Sequence, residues 1–113
     1  MFAAKFTPLF IDENFHHRAK EFWDYFLLNR DFFEQCIDNK NLSFLKEFEI
    51  KLKSVFINYQ KDVFFCFKKN DSRYIFEFYF YRNSYLLTLV DSLFEEKPKN
   101  LTKWIFLAKK NNK

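Results

Sequence analysis

Polar and apolar positions alternate most regularly between Asp62 and Arg82, with a period of two. The first run is Asp62-Val-Phe-Phe-Cys-Phe-Lys68, and the second is Arg73-Tyr-Ile-Phe-Glu-Phe-Tyr-Phe-Tyr-Arg82. Aromatic and β-branched residues fill both, as in strands that lie half-buried on a pleated surface. Lys69-Asn70-Asp71-Ser72 separates them as a tight turn. Alternation in the second run sets Tyr74, Phe76, Phe78 and Phe80 on a dry face. Arg73, Ile75, Glu77, Tyr79 and Tyr81 fall on an amphipathic one. The pattern predicts a hairpin whose dry face is covered by the rest of the chain.

Upstream the period becomes helical. Ala19, Phe22, Trp23, Phe26, Leu27 and Phe33 predict a helix capped by Asp12 and reaching Ile37. Asn29-Arg30-Asp31 is its candidate break, with Asp31 capping a second segment. After the connector Asp38-Asn-Lys-Asn41, a helix is expected over Ser43 to Asn58. Leu45, Phe48, Leu52, Val55 and Phe56 form its apolar side. Glu47–Lys51 and Glu49–Lys53 supply i,i+4 pairs on the other. Beyond the hairpin, Asn83 or Ser84 can cap a helix with the stripe Leu86, Leu89, Val90, Leu93 and Phe94. Pro98 ends that helix or the linker after it.

The last strand, Leu101 to Lys109, carries Trp104, Phe106 and Ala108 on one face and Ile105 and Leu107 on the other. Apolar residues on both faces predict a central position. Phe2 to Ile11 reads as an arm or an edge strand, because Pro8 excludes a central one. The expected fold is α+β in the order α-α-β-β-α-β. It has an antiparallel or mixed sheet of three to four strands and helices on one face. An added N-terminal strand would make it ferredoxin-like. Residues 1–113 form one expected domain, with residues 1–11 as the arm and 110–113 as a basic tail.

Composition narrows the chemistry. Phe occupies 19 of 113 positions and Gly none. AT-rich codon usage would account for part of the Phe excess. Without Gly there is no Gly-rich phosphate loop, dinucleotide fingerprint or nucleophile elbow of the usual kinds. Turns must use Asn and Asp where φ is positive. The net charge of +4 is uneven: residues 1–50 hold 6 Lys/Arg against 9 Asp/Glu, and residues 51–113 hold 13 against 6. The basic half would attract nucleic acid, anionic lipid or an acidic protein, although a solvated surface with a basic tail is the plainer reading. No secretory leader or membrane-length apolar run is seen, so cytoplasm is the expected compartment.

Phe22-Trp23-Asp24-Tyr25-Phe26 and Pro98-x-x-Leu101-x-x-Trp104-Ile105-Phe106-Leu107-Ala108-Lys109 together resemble a family of small uncharacterised bacterial proteins. That resemblance, over about residues 13–110, implies a compact α+β domain and brings no activity, cofactor or catalytic residue. The chain departs from the family's pattern at Tyr81-Arg82-Asn83, where a small residue and Gly are usual.

No constellation demands catalysis. His16 and His17 are adjacent on a helix and sit ~100° apart. A metal site drawn with His16 and Asp12 matches no zinc spacing, and exposed helix-start residues are the simpler reading. Cys36 and Cys66 lie in apolar contexts, as small buried hydrophobes rather than nucleophiles. Acidic pairs such as Glu95-Glu96 read as caps and solvated faces. No cofactor or metal is expected.

Aromatic residues reach 24%, more than a small core is expected to hide, and such a surplus marks a partner surface. The expected function is therefore a non-catalytic protein-interaction module, a homodimer being the simplest case. Its candidate surface is Arg73, Tyr79, Tyr81 and Arg82. Single-stranded nucleic acid stacking on the same tyrosines is the alternative. Glu77, in the middle of that face, would repel phosphate.

Overall fold

A computed structural model describes residues 14–80 and 84–109 of the chain. The element order is α1 (Phe15–Leu28), α2 (Arg30–Asp38), α3 (Leu45–Val55), β1 (Phe64–Asn70), β2 (Arg73–Tyr79), α4 (Ser84–Glu95) and β3 (Trp104–Lys109). A single 3-10 turn, Gln60–Asp62, precedes β1. The fold is α+β in the expected order, and among the described residues the sheet is three-stranded and mixed.

α1 starts at Phe15, preceded by Asn14. The expected cap, Asp12, lies outside the described residues. Asn29 does break the long helix. Its backbone N–H reaches back to the carbonyls of Tyr25 and Phe26, and its side-chain amide also donates to Tyr25 O at 2.9 Å. The chain restarts at Arg30. Asp31 lies in the first turn of α2, where its charge suits the dipole, but makes no capping hydrogen bond. α3 is shorter than expected. Its Glu49–Lys53 pair forms at 2.9 Å, while Lys51 instead lies 5.4 Å from the centre of the Tyr25 ring.

β1 and β2 pair antiparallel, with Asn70 opposite Arg73, so the hairpin loop is only Asp71-Ser72. Asp71 takes φ 55°, the left-handed conformation that a Gly-free chain assigns to a short polar side chain. β3 pairs parallel with β2 through α4, the order being β1-β2-β3. Among the described residues β2 is therefore central and β3 has β2 as its one strand neighbour, whereas its two apolar faces predict a central position. Only its Trp104, Phe106 and Ala108 face enters the core, and Leu107 remains 37% exposed. Because β2 and β3 are direct neighbours, there is no slot between them for the strand that a split, ferredoxin-like βαβ unit would insert. The N-terminal strand itself falls outside the described residues.

The helices cover the face made by Tyr74, Phe76 and Phe78, as alternation predicts. Phe48 of α3 is the hub. Its ring meets those of Phe22, Phe26, Phe33, Phe44, Phe67 and Phe76 at centroid distances of 4.9 to 6.3 Å, mostly edge to face. Both indoles find acceptors. Trp23 Nε1 donates to Leu93 O near the end of α4 at 2.9 Å, and Trp104 Nε1 to Glu34 of α2 at 2.9 Å. Together they fasten α4 to α1, and β3 to α2.

The aromatic surplus is thus mostly internal. Among the described aromatic residues only Phe32 and Phe64 count as exposed. The inference from aromatic excess to a partner surface is corrected accordingly: the rings fill the core by meeting one another.

Candidate functional site

Two surfaces of the sheet hold unusual chemistry. The first is the face of β2 turned away from the helices. Arg73 is exposed at one end and Tyr79 is half-buried at the other. Tyr81 and Arg82 lie outside the described residues. Glu77, between Arg73 and Tyr79, is only 3% exposed. Its carboxylate accepts from Tyr79 Oη at 2.6 Å, Lys109 Nζ at 2.9 Å and Lys68 Nζ at 3.2 Å. The Cys66 thiol lies 3.4 Å away.

Register brings these groups together. Cys66 is opposite Glu77, Lys68 lies two residues further on β1, and Tyr79 is opposite Lys109 of β3. Burial pushes the Glu77 carboxyl up, but the bonds from Tyr79, Lys109 and Lys68 outweigh it, and the group falls to about 2. The bond to Glu77 in turn raises the Tyr79 hydroxyl. Glu77 is therefore not the bare repulsive charge that its place in the sequence suggests, since two lysines compensate it. Tyr79 is tied by its hydroxyl and not free to turn.

The second surface runs along the free edge of β1. Tyr74 N–H donates to Lys103 O and Phe80 N–H to Lys109 O, so these residues of the β2 segment face β3 with their backbone. The alternate residues Arg73, Ile75, Glu77 and Tyr79 turn their backbone groups toward β1. In an antiparallel ladder, Phe64, Cys66 and Lys68 then turn their backbone groups toward β2. Phe65, Phe67 and Lys69 turn theirs outward, and no described backbone group pairs with them.

Alongside this edge lies a groove of about 1020 Å³. Phe65 and Phe67 form one wall, and Ile37, Leu42, Phe44 and Leu45 from α2, α3 and their connector form the other. Leu42 is 64% exposed. Lys40, Lys46, Lys68 and Lys69 also line the groove, against one acid, Glu49. Glu49 is held by Lys53, Lys68 by Glu77 and Lys69 by Asp38. Lys40 and Lys46 make no ion pair among the described residues.

The sequence reading missed this groove. Its signals were weak: one exposed apolar residue, Leu42, in a polar connector, and a strand whose edge becomes visible only once strand order is known.

The remaining candidates are dispersed. His16 pairs with Glu96, and His17 with Glu21 one turn along at 3.2 Å. Among the described residues no three His, Cys, Asp or Glu side chains gather as a metal site. Cys36 is buried in the core and Cys66 is half-buried on the Glu77 face; both are free thiols. No described helix is long and apolar enough to cross a membrane. Set against protein-family models, curated proteins and solved structures, the chain matches none.

Proposed function

We propose that this protein is a non-catalytic protein-binding module and that the groove beside β1 is its docking site. The observation that carries this reading is the coincidence, among the described residues, of an unpaired strand edge with an apolar groove at the same place. Unpaired edges are a template for another strand, and natural proteins usually cover them. The apolar walls add burial to whatever pairs there.

The alternative is single-stranded nucleic acid on the Tyr79 face. It draws support from Lys68 and Lys109, which share the Glu77 carboxylate with Tyr79. The tie between Tyr79 and Glu77 counts against it, because a stacking platform needs a ring that can meet a base.

One experiment separates the two. The immobilised protein and its Leu42→Asp variant are exposed to cell extract at low and high salt. Leu42 is exposed, so the variant keeps its fold. A protein retained by the wild type and lost by the variant at both salts supports the groove. Identical retention by the two chains rejects it. Bound material absorbing at 260 nm and shed at high salt transfers the reading to nucleic acid.

A further inference from the structure

We infer that the occupant of the β1 groove is an extended acidic segment of another protein, alternating apolar and carboxylate side chains and adding as a fourth strand. This rests on the docking site proposed above and names what fits it. The outward backbone groups of Phe65, Phe67 and Lys69 offer donors and acceptors every second residue, which is the spacing of a strand and not of a helix. A strand laid on this edge sends alternate side chains to opposite faces. One set meets Phe65, Phe67, Leu42 and Leu45 and must be apolar. Charge sets the rest. Among the described residues Lys40 and Lys46 bring two cations without an ion pair to the groove, and the one lining acid, Glu49, is already held by Lys53. A carboxylate-bearing strand satisfies both lysines. A second copy pairing by the same edge would bring its own lysines against them, so the groove selects against self-association.

The probe is a short end-blocked peptide of alternating valine and glutamate, compared with its valine–lysine counterpart on the intact chain. Affinity is read by calorimetry, and amide hydrogen exchange is followed residue by residue. The glutamate peptide is expected to bind at least roughly tenfold more tightly than the lysine peptide, and Lys46→Glu, at an exposed helix position, to remove that preference. Exchange at Phe65, Phe67 and Lys69 is expected to slow by about tenfold or more, while the amides of Cys66 and Lys68, already facing β2, change little.

Equal binding of the two peptides, or protection elsewhere, overturns the acidic-strand assignment. Failure of both peptides alongside a protein captured through Leu42 also overturns it, yet leaves the docking site standing. Failure of both with capture indifferent to Leu42→Asp removes the site as well. A dimer by light scattering that protects the same three amides assigns the groove to a second copy instead.

Discussion

Glu77 shows how far one side chain's state depends on its neighbours. A glutamate 3% exposed would ordinarily hold its proton, since burial disfavours the charge. Here a phenol and two ammonium groups reverse the balance and lower the carboxyl from its usual 4.5 to about 2. A group whose folded-state value is depressed stabilises the protein above its unfolded value. That contribution is lost as pH falls through the folded one. Stability from Glu77 should therefore be intact above about pH 4.5 and disappear toward about pH 2. Its size should be roughly 3 kcal/mol, from ~1.4 kcal/mol per unit. Urea titrations across that range, on the wild type and Glu77→Gln, read the difference. The variant's stability should fall less steeply over the window, and parallel curves would show that the cluster contributes no such term. Asp38, lowered chiefly by its bond from Lys69, responds in the same direction but is solvent-exposed, and it is common to both proteins.

At the level of elements, the chain stops and turns without glycine. The end of α2 is the clearest instance. Asn41 N–H donates to Cys36 O at 2.8 Å and Lys40 N–H to Ile37 O at 3.2 Å, the paired bonds of a Schellman motif. That motif needs a left-handed residue at its pivot, and Lys40 adopts φ 57° there. A side chain in this conformation costs ~1 kcal/mol that glycine avoids. Lys40→Gly should accordingly raise stability by about 1 kcal/mol, seen as a higher urea midpoint with unchanged slope. A lower midpoint would mean that the ammonium contributes more to the fold than its backbone costs. The same substitution removes one of the two groove lysines that make no ion pair among the described residues, so a gain in stability should accompany weaker binding of the acidic peptide.

For the molecule as a whole, stability centres on interlocked rings from α1, α2, α3 and the sheet. Phe48 of α3 touches the other three, and it is fully buried. Phe48→Ala should cost about 3–5 kcal/mol, because the surrounding rings are too constrained to refill the space. Denaturant unfolding reads this directly. A loss nearer 1 kcal/mol would show that the core collapses around the gap. Exposed Phe32 should tolerate the same change with far less effect, which separates packing from aromatic content as such.

Sequence alone determined the inward faces of α1, α3, β2 and α4, because side-chain direction follows from local backbone period. Phe22, Trp23, Phe26, Leu86, Leu89 and Phe76 all lie inward as their spacing requires. Asn29 was likewise legible as a break. Strand order was not. β3 carries the apolar residues of a central strand, yet among the described residues it pairs with β2 alone, and no local pattern encodes which neighbours a strand acquires. The fate of the aromatic surplus also depended on long-range packing, since burial is a property of assembled layers. So did the compensation of Glu77, whose partner Lys109 lies on another strand. Only the tertiary structure could leave the second edge of β1 without a partner among the described residues, beside an apolar groove, because both walls come from segments that the sequence keeps well apart.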